Sequence, residues 1–156
     1  MPDSRSAADL FSPVKVGVIE CANRVFMAPL PRCRSTPGTD APNSLNATYY
    51  EQRASAGLIV SEATQISAQG KGYMGAAGIY GPEQEAGWKL VTGAVDLEGG
   101  KIVAQIWHVG AVSHPDLQPD GQLPVSPSGV ILPGNTTTPK GKQERVAPRA
   151  LETQEI

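Results

Sequence analysis

The feature that most constrains this chain is a set of apolar runs too short for helices, set between stretches with helical spacing. Arg24–Leu30, Leu58–Val60 and Lys101–Trp107 are the runs. Their brevity and their flanking prolines and glycines fit buried strands. Between the first two, Asn43 or Ser44 is placed to cap a helix through Leu45, Tyr49, Tyr50 and Arg53. Leu45 and Tyr49 share a face of it, and Gly57 is its expected stop. Between the second and third, Pro82 suits a first helical turn, with Glu83 and Glu85 favourable to the helix dipole. Trp88, Val91 and Val95 follow at helical spacing, and Gly99-Gly100 closes the segment. The strands begin roughly 30–45 residues apart, the spacing of βαβ units. Strands alternating with helices predict a parallel α/β sheet.

A doubly wound sheet and a (β/α)8 barrel both begin this way. No G-x-G-x-x-G follows the first strand, which argues against a dinucleotide-binding half. A complete barrel needs about 250 residues, so on the barrel reading these 156 residues are incomplete. Residues 1–9 read as a disordered terminus, and Leu10–Glu20, which contains Pro13 and Gly17, as a short β-hairpin. Gln69–Gly81 is Gly-rich and reads as a loop. His108–Pro148, rich in Pro, Gly, Ser and Thr, reads as a long functional or mobile loop. Leu151 to Ile156 looks like the start of another helix.

Composition removes several function classes. Charged residues make up 18% and the net charge is -2, with Lys and Arg scattered singly, so no basic stripe points to nucleic acid. Cys21 and Cys33 lack metal-ligand spacing and read as free thiols, and no metal site is expected. The N-terminus has no apolar signal region, and no run approaches the ~18 apolar residues of a membrane helix. The expectation is a cytoplasmic chain with no membrane partner.

In parallel α/β folds, ligands bind beyond the carboxyl ends of the strands. Those ends are Ala28-Pro29-Leu30-Pro31, Glu62-Ala63-Thr64 and Gln105-Ile106-Trp107-His108. Gln105 is the most informative residue. It interrupts an apolar strand on the face it shares with Trp107, and its amide must be paired there or cost about 1–3 kcal/mol. Its donors and acceptor match the pyrimidine edge of a flavin; a Gln satisfied by neighbouring backbone is the plainer reading, and both stay open. Trp107 is a core residue or the wall of a flat substrate site. Tyr73 is a loop tyrosine or reaches over a pocket mouth. Glu62 reads as an ion-pair partner of Arg24 or Arg32. His108 and His114 lack partners at metal spacing and read as packed or hydrogen-bonded.

Several segments, in order, are similar to one known family. Leu10-Phe11-Ser12-Pro13 and Ala22-Asn23-Arg24-Val25-Phe26-Met27-Ala28-Pro29-Leu30 resemble the opening of Old Yellow Enzyme homologues. So do Tyr49–Ala54, Gly57–Ser67, Gln69–Tyr73, Gly78–Tyr80, Gln105–Gly110 and Pro148–Leu151. The resemblance covers about residues 10–156. It implies a (β/α)8 TIM barrel preceded by the N-terminal hairpin, with about three barrel strands in this chain, and an incomplete FMN-binding domain over 10–156. It implies flavin mononucleotide (FMN) as cofactor and NAD(P)H as reductant. The activity it implies is reduction of activated C=C bonds in enones, maleimides or nitroalkenes.

Carried over residue by residue, Ala28, Pro29 and Leu30 line the flavin through backbone contacts, and Pro31 stands beside them. Ala63 offers a backbone N–H, Gln105 pairs with the pyrimidine edge, and Tyr73 and Trp107 wall the substrate side. His108 and His114 stay structural. Two positions depart from the family pattern. Pro31 stands where Thr or Cys is usual and has neither a side-chain donor nor an N–H. Ala111 stands where Arg is usual. The substrate anchors, the proton-donating Tyr and the phosphate-binding region of the family lie later than Ile156, so no catalytic residue is expected in this chain. The competing expectation is a non-catalytic remnant or half-barrel that pairs with another chain, because sheet edges left open favour association. A Schiff-base aldolase is disfavoured, since no Lys stands at a strand end.

Overall fold

The structure, a computed structural model, describes residues 9–155. The expectation of disorder over 1–9 falls on residues outside that range, apart from Asp9. Asp9 forms a turn in which its carboxylate accepts the Phe11 N–H at 2.9 Å. Leu10–Glu20 contains a two-stranded antiparallel pair, β1 (Val14–Val16) with β2 (Ile19–Cys21). Gly17, at φ +59°, supplies the left-handed turn residue between them.

The first predicted barrel run is strand only at β3 (Phe26–Met27). It pairs in parallel with β4 (Leu58–Val60), which pairs in parallel with β6 (Ile102–Val103). Further along, β5 (Thr64–Gln65) pairs in parallel with β7 (Ile106–Trp107). The predicted Lys101–Trp107 run is thus interrupted once, and the Leu58–Val60 strand is followed after a gap by a further short strand, at a point that matters for the site. Gly57 sits where β4 begins: a Cβ there would lie 2.0 Å from the Asn23 carbonyl oxygen, so only glycine lets the two chain segments come this close.

Helix α1 spans Ser44–Glu51. Asn43 caps it through a reciprocal pair, its Oδ1 accepting the Leu45 N–H and its own N–H donating to Asn46 Oδ1. The helix stops at Gln52, short of the expected Gly57, and 53–57 continue as turns. Its buried face also differs from the expectation. Asn46, Ala47 and Tyr50 are buried, whereas Leu45 is 57% exposed and Tyr49 is half-buried. The helix turns its small and hydrogen-bonding side chains inward because a polar group, Glu62, waits there.

Helix α2 spans Pro82–Leu97 with Pro82 at its first position and Glu83 and Glu85 in its first turn. Trp88, Val91 and Val95 are buried as the spacing predicts, and Gly99 takes a positive φ just past its end. These three side chains join Ala47, Tyr50, Ala54, Ile59 and Ala77 in one core between the helices and the sheet.

The region 108–148 is not the featureless loop expected from its composition. It contains β8 (Val125–Ser126) and an antiparallel hairpin of β9 (Asn135–Thr138) and β10 (Gly141–Glu144). β8 pairs in parallel with β11 (Arg149–Ala150). The period-2 pattern of the hairpin is carried by threonines and not by apolar residues: Thr136 and Thr138 are buried and Asn135 and Thr137 exposed. The helix expected from Leu151 is a single 3-10 turn, Thr153–Glu155, tied back by Arg149 bonding both Glu155 oxygens at 2.8 Å. Ile156 lies outside the described residues.

Candidate flavin site

The strand ends come together through a break in the sheet register. Val60 pairs with Val103 and Thr64 with Ile106, so Ser61, Glu62 and Ala63 face only Ala104 and Gln105. Three residues against two is a β-bulge, a device that re-aims backbone and side chains and is frequent beside active sites.

Side chains clamp the bulge. The Gln105 N–H donates to Ser61 Oγ at 3.1 Å, and the Thr64 N–H to the Gln105 carbonyl at 2.8 Å. The Glu62 N–H donates to the Tyr50 hydroxyl at 2.7 Å, while the Ser61 and Thr64 hydroxyls both donate to the Glu62 carbonyl at 2.9 Å. Two groups are left over. Ala63 is 3% exposed, and its N–H has no acceptor among the described residues. The half-buried Gln105 side chain makes no protein hydrogen bond there either. The reading of Gln105 as satisfied by neighbouring backbone therefore fails for its side chain, although its backbone is fully used.

Glu62 does not form the expected ion pair with Arg24 or Arg32. Its carboxylate is fully buried and takes the Arg32 backbone N–H at 3.0 Å, the Asn46 amide at 3.2 Å and the Tyr50 hydroxyl at 3.3 Å. The Arg32 guanidinium instead lies over the Tyr49 ring, 5.0 Å from its centroid, and Arg24 bonds Ser12 Oγ. Burial, opposed by the bond from the Glu62 N–H and aided by the carboxylate, pushes the Tyr50 hydroxyl far above the ordinary tyrosine range. Burial and then the Glu62 charge also push the Cys33 thiol up.

Tyr73 and Trp107 form one wall: their rings stack with centroids 5.5 Å apart at 17°. The Trp107 Nε1–H is buried without an acceptor. Ala28 and Leu30 are exposed and Pro29 and Pro31 half-buried at the end of β3. His114 Nδ1 accepts the Asp116 N–H and His108 Nδ1 the Gly110 N–H, both local turn contacts. No cluster of metal-ligating side chains occurs among the described residues. Nor is any helix there long and apolar enough to cross a membrane.

One cavity of about 600 Å3 is lined by Cys33, Asp40, Lys71 and Gln118 among others, and one of about 420 Å3 by Val25, Phe26 and Met27 with Gln52 and Arg53 among others. The strand ends form an open face rather than a closed pocket. Asp40 is a buried hub at φ +54° that accepts from Lys71, Gln65 and Tyr80. Its setting between Thr39 and Ala41 carries no pattern that would have marked it.

Comparison with known proteins decides the family. The model of the NADH:flavin oxidoreductase / NADH oxidase family matches residues 9–156. The chain belongs to this family. Flavin oxidoreductase hxnT of Emericella nidulans is 45% identical over 129 residues, covering 80% of the chain and 33% of that protein. The rice (Oryza sativa subsp. japonica) 12-oxophytodienoate reductase 1 is 42% identical over 153 residues, 97% of this chain and 38% of that one. Among solved structures, a morphinone reductase superposes with TM-score 0.89 at 46% identity, covering 98% of this chain and 42% of that one. The Old Yellow Enzyme homologue of Zymomonas mobilis gives 0.88 at 43%, covering 94% and 40%. The chain spans between a third and about two fifths of the length of these relatives and is an α/β portion of the Old Yellow Enzyme barrel fold.

Membership of this flavin oxidoreductase family implies FMN and NAD(P)H, and the geometry fits a flavin ring. A buried N–H without an acceptor at Ala63 and an unengaged amide at Gln105 stand side by side in the bulge, complementary to a ring edge with alternating C=O and N–H.

Proposed function

We propose that this chain supplies the ring-contacting strand ends of an FMN-dependent oxidoreductase. The whole protein would use NAD(P)H to reduce activated C=C bonds in enones, maleimides or nitroalkenes. The observation that carries this reading is the Ser61–Ala63 bulge against Gln105. Relatives that are by name reductases of 12-oxophytodienoate and of morphinone support it, as does a morphinone reductase structure holding tetrahydroNAD.

FMN, when bound, supplies hydride transfer between nicotinamide and alkene. Gln105 holds the pyrimidine edge of the ring, and the Ala63 N–H donates to it. Ala28, Pro29, Leu30 and Pro31 line it along the backbone at the end of β3. The stacked Tyr73 and Trp107 wall the substrate side and keep water from one flank. The substrate anchors and the proton donor belong to the part of the family fold that follows residue 156. The protein carrying this chain should therefore oxidise NAD(P)H in the presence of a cyclic enone, and these 156 residues alone should not. Loss of NAD(P)H absorbance measures both, and turnover by the isolated chain would contradict this division of roles.

Pro31 tests the placement of the ring. Thr there would restore an N–H and a hydroxyl donor, and donors favour the electron-rich reduced ring. Pro31→Thr is expected to raise the midpoint potential of bound FMN by about 30 mV, tenfold in the reduced-to-oxidised ratio. An unchanged potential would remove Pro31 from the site.

A second reading, association of this part with another chain, has its own observation. Ile106 of β7, Phe26 of β3 and Leu30 beyond the end of β3 are 62%, 42% and 55% exposed, the kind of apolar surface at strands that recruits partners. Light scattering should show self-association of the isolated chain, and Ile106→Lys should reduce it. A monomer at all concentrations would dismiss this reading.

A further inference from the structure

Glu62 is a fully buried carboxylate that the proposed mechanism does not use. Its three partners all donate to it: the Arg32 N–H to Oε2, and the Asn46 amide and Tyr50 hydroxyl to Oε1. Three donors shared over both oxygens suit an ionised carboxylate. Among the described residues no Lys, Arg or His pairs with it, and the nearby Arg32 guanidinium is spent on the Tyr49 ring. Its connections run to both segments that flank the flavin site. Arg32 directly follows Pro31, so the amide that Glu62 captures is the first N–H beyond the proline. On its other side Glu62 is joined to Ala63, whose N–H is left free.

We infer that Glu62 is a positioning residue for the flavin that also lowers the flavin's reduction potential through its buried charge. By holding Arg32 and, through Tyr50, its own backbone, it fixes the bulge that presents Ala63 and Gln105. Adding two electrons and one proton to the ring leaves it one unit more negative. A buried carboxylate with no salt-bridge partner among the described residues, next in the chain to Ala63, opposes that change. The hydroxyl of Tyr50 and the amide of Asn46 partly offset the charge without neutralising it.

The inference rests on the FMN reading, and the two fail differently. If the wild-type protein binds no flavin, the FMN reading falls. If it binds flavin, potentials measured against reference dyes test Glu62 on the FMN-loaded full-length protein. Glu62→Gln removes the charge at nearly constant shape and is expected to raise the reduced-to-oxidised ratio at fixed potential about tenfold, about 30 mV. Tyr50→Phe keeps the charge, removes one donor to it together with the acceptor of the Glu62 N–H, and is expected to lower the potential. Should Glu62→Gln fail to fold, the Tyr50→Phe shift still decides the matter. A merely structural Glu62 would change flavin affinity or Tm in both variants while leaving both potentials at the wild-type value, or would move both in one direction. Either result overturns the inference.

Discussion

Trp88→Ala is expected to destabilise the chain by about 3–5 kcal/mol, the range for truncating a buried tryptophan. Trp88 is 7% exposed and belongs to the cluster of Tyr50, Ile59, Val91 and Val95. Its ring stands 6.3 Å from that of Tyr50, and its indole N–H donates to the Gly78 carbonyl at 2.9 Å. The truncation therefore opens a cavity where α1, α2 and the sheet meet. It also leaves the carbonyl of a loop residue without its donor. For a chain of this size the loss is about 10 °C in Tm, readable by circular dichroism. A change of less than about 2 °C would mean that Trp88 is not the centre of this core.

The second large effect is on flavin affinity. Gln105→Leu keeps the size of the side chain and breaks no protein hydrogen bond, because the Gln105 amide makes none among the described residues. Its backbone bonds to Ser61 and Thr64 stay in place. Tm should thus hardly change, whereas the polar edge of the flavin loses its partner. Two lost bonds at about 1 kcal/mol each weaken FMN binding roughly thirtyfold. The contrast separates the two substitutions: Trp88→Ala acts on stability, Gln105→Leu on binding. Equal FMN affinity for wild type and Gln105→Leu would show that the amide does not face the ring.

How much of this was legible in the sequence follows from which forces carry each element. The β4 and β6–β7 runs were legible as short apolar stretches, α1 from its capping Asn43, and α2 from Pro82 and from Trp88, Val91 and Val95, which are buried as their spacing predicts. The bulge was not legible. It depends on a count of residues between two paired strands about forty positions apart, which no local pattern carries. Glu62 was misread for the same reason. A buried carboxylate implies partners, but the sequence does not reveal that they are a backbone N–H, an amide and a phenol instead of a guanidinium. The Thr-based hairpin at 135–144 was missed because the alternation there is polar on both faces. Gln105, Tyr73 and Trp107 carried functional readings beside plainer ones from their positions, and the family resemblance is what favours the functional ones. The structure adds the Tyr73–Trp107 stack and the unengaged Gln105 amide.

The most direct test of the central claim, that these strand ends hold the flavin ring and not its phosphate, is a fluorescence titration of the 156-residue chain with FMN and, in parallel, with riboflavin. The account predicts saturable quenching of both flavins with similar Kd values, because the contacts at Ala63 and Gln105 address the ring alone. No quenching of either flavin, or FMN binding more than tenfold tighter than riboflavin, would contradict it.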